Sequence, residues 1–132
     1  MLFRSDASLF QRSSLLPRGD IDQAEDGNKL LLGPFSGKPA CQFIETSPSK
    51  GRGVCADAYI QRKTVLAPEV DSYPGHIACD GETKSEIVCP LLLEGRCIGV
   101  LDLDCLAING FDEDDRVALE RIASLVVKSC DW

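Results

Sequence analysis

Between residues 86 and 104 two nearly unbroken apolar runs meet across a two-residue turn. Glu86 to Leu93 reads as one strand, Glu94-Gly95 as the turn, and Arg96 to Asp104 as the returning strand. A strand with one face in water alternates apolar and polar residues, and these do not, so both faces of the hairpin are covered. Helices on at least one face supply that cover, and the chain is read as an α/β (α+β) domain. A strong helix follows over Asp112 to Lys128. Asp112 is a natural N-cap with Asp115 three residues on, and acids crowd the first turn. Leu119, Ile122, Ala123 and Val126 repeat at helical spacing and form its core face.

The rest of the 132 residues fits around this unit as one domain. Lys29 to Leu32 reads as a strand that stops at Gly33-Pro34, and Pro39 to Ile44 as a second. Ser47 to Gly53 is a loop of small residues. Val54 to Arg62 reads as a short helix, and Thr64 to Val70 as a strand that Pro68 marks as an edge or a bulge. Residues 1–28 are polar and weakly periodic and read as an arm or loop, disordered or frayed. The domain is therefore placed at residues 29–132. Three arginines, four serines and one acid in the first 18 residues faintly resemble a mitochondrial presequence, but the plain arm is preferred.

Composition removes several functions. The net charge of −7 makes nucleic acid and anionic membrane poor partners. No apolar run approaches the roughly 20 residues of a membrane helix. Seven cysteines, an odd number without a secretory signal, argue against a secreted disulfide scaffold and for a reducing, cytoplasmic setting. Cys-x-x-Cys is absent and His76 is the only histidine, so a zinc site would need mainly thiolates gathered by the fold.

Chemistry concentrates in two places. Residues two apart on a strand share a face, so Asp102 and Asp104 point together, with Ile98 and Val100. Either that strand end is solvated or the acids form a site, which Glu86 on the partner strand could join. Three converging acids suit a cationic group such as an ammonium. Their mutual repulsion would keep at least one protonated near neutrality, able to give a proton to a leaving oxygen. Glu86 reads equally as a strand-start residue facing water. The second place is the polar stretch Asp71 to Lys84, which holds His76, Cys79, Asp80 and Glu82. A loop of this length inside a small domain is usually functional. Cys79 is a reactive thiol there if backbone N–H groups or His76 stabilise its thiolate, and an idle surface thiol otherwise. Cys41 and Cys55 flank the glycine loop as candidate resolving partners. Cys89, Cys97 and Cys105 look like core filler, and Cys130 like helix packing.

Five ordered stretches then resemble one family. They are Leu32-Gly33-Pro34-Phe35-Ser36-Gly37-Lys38 with Cys41, Gly51-Arg52-Gly53-Val54-Cys55, Gly75-His76-Ile77-Ala78-Cys79-Asp80, Ser85-Glu86-Ile87-Val88 with Pro90, and Ile98 through Asp104. They are similar to the signatures of free methionine-(R)-sulfoxide reductases, GAF-domain enzymes, from about Leu30 to the C-terminus. The resemblance implies a mostly antiparallel central sheet flanked by helices, with substrate enclosed beneath loops. It implies that Cys41, Cys55 and Cys79 are the redox cysteines and that Glu86, Asp102 and Asp104 are the pocket acids. It further implies free methionine sulfoxide as substrate, thioredoxin as reductant, a tendency to homodimers, and no metal or organic cofactor. In the implied reaction Cys79 attacks sulfur, becomes a sulfenic acid and is resolved by a second thiol, Cys41 in preference to Cys55. Two departures accompany it. The family's N-terminal helix and aromatic first strand are not recognisable, which suggests a domain lacking them unless Leu2, Phe3, Leu9 and Phe10 pack in their place. The stretch from Cys41 to Cys55 is also longer than usual. Rival readings are a GAF module that binds a small molecule without chemistry, and an inactive truncated fragment.

Overall fold

The central strands are held by ladders on both sides, and the order in which they are held fixes everything above them. The computed structural model describes residues 11–14, 29–35, 37, 38 and 41–132. Its elements run β1 (Gln11–Ser14), β2 (Lys29–Phe35), β3 (Phe43–Glu45), α1 (Val54–Gln61), β4 (Val65–Ala67), β5 (Ser85–Leu93), β6 (Arg96–Cys105) and α2 (Glu113–Ser129). The six strands form one antiparallel sheet in the order β3-β2-β1-β6-β5-β4. Helices cover both faces, as the unbroken apolar hairpin required.

The two faces have separate cores. On one, Leu30, Ile44, Ala67, Val88 and Val100 pack against Val54, Cys55, Ala56 and Ala58 of α1. The alanines let this eight-residue helix lie close to the sheet. On the other, Ile87, Cys89, Leu91, Ile98 and Leu101 pack against Leu119, Ala123 and Val127 of α2. The capping box expected at Asp112 forms: its carboxylate accepts from the N–H groups of Asp114 and Asp115, and Asp115 accepts from the N–H of Asp112.

Several expectations need correction. Residues 11–14, read as part of a polar arm, are a strand inside the sheet, paired with β2 on one side and β6 on the other. The domain therefore has a strand ahead of residue 29. Backbone pairing does not depend on apolar side chains, so hydropathy could not show it. The rest of residues 1–28, including Leu2, Phe3, Leu9 and Phe10, lies outside the described residues. Ile98 does not share a face with Val100, because the hairpin register slips between Leu91 and Leu92. The extra residue on β6 sends Ile98 to the α2 side. On α2 the core position is Val127, while Ile122 is exposed. The strand expected over Pro39 to Ile44 is Phe43–Glu45, and the one over Thr64 to Val70 is Val65–Ala67. This edge strand stops just before Pro68, which has no N–H to extend the ladder. Cys130, read as packing, is exposed, whereas Cys89 and Cys105 are buried as expected. Among the described residues no helix is long and apolar enough to cross a membrane.

The turn after β6 is clamped to the first residue of β5. Ser85 Oγ donates to Ala107 O at 2.6 Å and accepts from Gly110 N–H at 3.0 Å. A Cβ on Gly110 would run into Cys105 and Ser85 side-chain atoms, both in buried residues. Gly110→Ala should therefore cost about 1 to 3 kcal/mol, the usual price of overpacking. A urea unfolding curve would show a lower midpoint at unchanged slope, and an unchanged midpoint would mean that the turn is not clamped.

Candidate functional site

Strand register brings the acids together. Glu86 pairs with Asp104 and Val88 with Asp102 across the hairpin, so the three acids lie on the α1 face of the sheet. Glu86 and Asp102 are buried at 6% and 2% exposure, and Asp104 is half-buried. The solvated alternative is thus excluded for Glu86 and Asp102. The N-terminal turn of α1 lies over them. There the Cys55 thiol reaches Asp102 Oδ2 at 3.2 Å and Glu86 Oε1 at 3.6 Å.

The Asp71–Lys84 stretch closes the cleft from above. Its two ends are drawn together where Val70 N–H donates to Lys84 O at 2.9 Å, and Lys84 N–H donates to Cys105 O at 2.8 Å. The Tyr73 hydroxyl donates to Asp57 Oδ2 at 2.6 Å and ties the stretch to α1. Gly53, with φ of 86°, leads into α1, and a Cβ there would meet Gly75 O at 3.3 Å and Ile77 N at 3.4 Å. Only glycine lets the two segments lie this close. His76 is thereby seated with Nδ1 4.0 Å from Glu86 Oε2.

Cys79 sits at the mouth and is joined to Cys41 by a disulfide, Cα to Cα 5.0 Å. Lys38 pairs with Glu82 between the same two segments. The cleft spans about 400 Å³, counting the space open to solvent at its mouth. Cys55, His76, Cys79, Glu86, Asp102 and Asp104 all line it. So all six residues selected from the sequence lie at one place: Cys41 and Cys79 bonded at its mouth, Cys55 and the three acids beneath. Sequence reasoning missed the grip of Tyr73 on Asp57 and the burial of Thr83 beside the cleft, neither of which follows any spacing rule.

Burial dominates the electrostatics. It raises the pKa of Glu86 to about 8, with Asp104 adding to the effect. Asp104 is raised to about 6 by burial and by Asp80. Asp102 is held well above the ordinary carboxylate range by burial, then by Glu86 and Asp104. The Cys55 thiol is driven far up by burial, then by Asp102 and Glu86. Burial also lowers the pKa of His76, against the pull of Asp71. The sequence pointed to repulsion as the cause of a protonated carboxyl, whereas here burial comes first and repulsion second, and both favour a floor that holds protons near neutral pH. What the arrangement can do is give a proton to an atom held beneath a thiol pair.

Comparison with known proteins fits this geometry. The GAF domain family model matches residues 19–128. The chain is 51% identical over 111 residues to a free methionine-R-sulfoxide reductase of Saccharomyces cerevisiae, covering 83% of this chain and 59% of that protein. It is 35% identical over 127 residues to a free methionine-R-sulfoxide reductase of Escherichia coli, covering 96% of this chain and 74% of that one. The X-ray structure of free methionine-R-sulfoxide reductase from Neisseria meningitidis in complex with its substrate superposes with a TM-score of 0.74 at 39% identity. It covers 90% of this chain and 63% of that chain. The chain spans about three fifths of the length of the yeast relative.

The raised carboxyl has a measurable consequence. Glu86 titrates at about 8 in the folded chain and near the ordinary glutamate value of about 4.3 when unfolded. Between these values the folded state holds a proton that the unfolded state has released. Stability therefore falls as pH rises from about 5 to 8, by at most about 1.4 kcal/mol per pH unit for one proton. Glu86→Gln, compared at equal disulfide status, should flatten that slope. Parallel pH profiles of the urea midpoint for the two proteins would contradict the assignment.

Proposed function

The chain belongs to the GAF domain family and, within it, to the free methionine-R-sulfoxide reductases, and from that premise we propose that it reduces free methionine-(R)-sulfoxide to methionine. The observation that carries the proposal is the Cys41–Cys79 disulfide at the mouth of a cleft floored by the acids Glu86, Asp102 and Asp104. Such a bond is the expected end product of a resolved sulfenic acid.

The steps follow from these positions. In the reduced chain the Cys79 thiolate attacks the substrate sulfur. Glu86, which keeps its proton at neutral pH, gives it to the sulfoxide oxygen, with Asp104 as the weaker alternative donor. The oxygen passes to Cys79 as the S–O bond to substrate breaks, leaving methionine and a Cys79 sulfenic acid. Cys41 sulfur then attacks the sulfenic sulfur and expels water. The disulfide is reduced by a dithiol, for which thioredoxin is the proposed source. The net change is sulfoxide plus dithiol giving thioether, disulfide and water. Cys55 takes no covalent step in this scheme. Its thiol is buried and its proton is held by the carboxylates, so it braces the acids by hydrogen bonds. A binding module without chemistry would have no use for a thiol pair at the mouth of the cleft.

We place the reaction in the cytoplasm, a setting supported by five free cysteines. A homodimer is also proposed, because Val117, Ile122 and Leu125 are exposed on α2 and a second copy would cover them.

Two experiments test the scheme. Cys79→Ser should abolish turnover with thioredoxin. Cys41→Ser should release about one methionine per chain and then stall. Steady turnover in either variant would overturn the assigned roles. The substrate should also be the free amino acid, since the Asp71–Lys84 stretch lies over the cleft and leaves little room for a flanking chain. N-acetylation should lower kcat/KM by at least about tenfold, a loss of roughly 1.4 kcal/mol in transition-state binding. Equal rates on the two compounds would refute that selectivity.

A further inference from the structure

The floor of the cleft has a feature that sulfoxide reduction does not call for: a buried thiol pointing at two buried carboxyls. Cys55 Sγ lies 3.2 Å from Asp102 Oδ2 and 3.6 Å from Glu86 Oε1, and one ligand atom from each residue lies within 4.8 Å of the others. A tetrahedral zinc site places sulfur about 2.3 Å and carboxylate oxygen about 2.0 to 2.2 Å from the metal. The sulfur-to-oxygen edge is then about 3.5 Å. The two observed separations bracket that edge without any rearrangement of the backbone. His76 Nδ1 lies 4.0 Å from Glu86 Oε2, the oxygen turned away from Cys55, and stands outside this three-residue group. With both carboxyls ionised, Asp102 Oδ1 has no hydrogen-bond partner among the described residues, although Asp102 is 2% exposed. A shared proton can satisfy it, and so can a cation.

We propose that Cys55, Glu86 and Asp102 bind one divalent transition-metal ion of the zinc class at the floor of the cleft. The donor set decides the class. A thiolate disfavours calcium and magnesium, which take oxygen ligands, and two carboxylates keep the site from being purely soft. The charges agree: binding would release the protons that the buried acids and thiol otherwise hold, and the divalent ion would neutralise the three groups in their place. The disulfide consumes none of these ligands, since it joins Cys41 and Cys79. The ion can therefore bind whether or not the mouth is oxidised. If the reductase reading holds, the ion occupies the carboxyls that would meet the sulfoxide oxygen and acts as an inhibitor competitive with substrate.

The test uses the full chain with the Cys41–Cys79 disulfide intact, so that neither of those sulfurs can ligate, and Co²⁺ as the probe. One equivalent should bind with a thiolate-to-cobalt charge-transfer absorption, and Zn²⁺ should displace it. Cys55→Ser should abolish that absorption and weaken binding by at least about tenfold. Replacing the half-buried Cys97 and the exposed Cys130 by serine should leave both unchanged. Glu86→Gln and Asp102→Asn keep the side-chain shape and the thiol. Each should weaken binding by at least about tenfold while retaining the absorption at saturation, so a misfolded Cys55 variant would not leave the matter open. No saturable uptake, absorption that survives Cys55→Ser, or unchanged affinity in both carboxyl variants would overturn the proposal. Metal uptake is read without substrate and turnover without metal, so each reading can fail without the other.

Discussion

Burying Glu86 and Asp102 against the middle of a sheet costs free energy that packing elsewhere has to offset, and the layout of the domain follows from how this is arranged. Among the described side chains neither acid has a lysine or arginine partner; they lie close to each other, the Cys55 thiol and His76. A carboxylate in such surroundings lowers its cost by keeping its proton. The hairpin that carries the acids is accordingly the best-anchored part of the chain. Both its faces are packed, and the turn behind Glu86 is clamped through Ser85 and Gly110. A loosely held hairpin would swing the acids into water and lose the shifted titration.

The cover over those acids is less heavily built. It consists of one eight-residue helix and a polar stretch drawn together by a few hydrogen bonds, one tyrosine hydroxyl and the disulfide. Low stability in the part that must admit and release a ligand, above a rigid floor that must not move, is a division many enzymes share. Gly53 belongs to the rigid half although it sits at the junction, because its positive φ and missing Cβ let the residues around Gly75 and Ile77 rest directly on the start of α1.

What could be read in the sequence followed from periodicity and from motif spacing. The β5–β6 hairpin and α2 carry long, strongly patterned runs, so their existence and pairing were legible. So was the grouping of the acids, since residues two apart on a strand must share a face unless a bulge intervenes. One did intervene, but at Ile98, beyond the acids, where the slip redirected residues 96–98 and left the acids in register. The strand Gln11–Ser14 left no apolar trace in the sequence, and its place is seen only in the backbone ladders on its two sides. The motif stretches located Cys41, Cys55 and Cys79, yet spacing could not say which two would meet. That depends on how the segment after β2 folds over the Asp71–Lys84 stretch, a tertiary fact with no local signature.

The separation of the thiols is where fold and chemistry meet most closely. Cys55 and Cys79 line one cleft, yet one faces a desolvated floor of acids and the other stands at the mouth. A nucleophile needs its proton gone, whereas a thiol wedged between carboxyls keeps its proton at any ordinary pH. The same acids that could serve a sulfoxide oxygen therefore disqualify Cys55 as the attacking sulfur. They also make it the one thiol whose proton a tightly bound cation could replace. The covalent reactivity proposed at the mouth and the cation affinity proposed at the floor trace to one arrangement: acids buried deep enough to favour holding their protons, with one sulfur inside their reach and another beyond it.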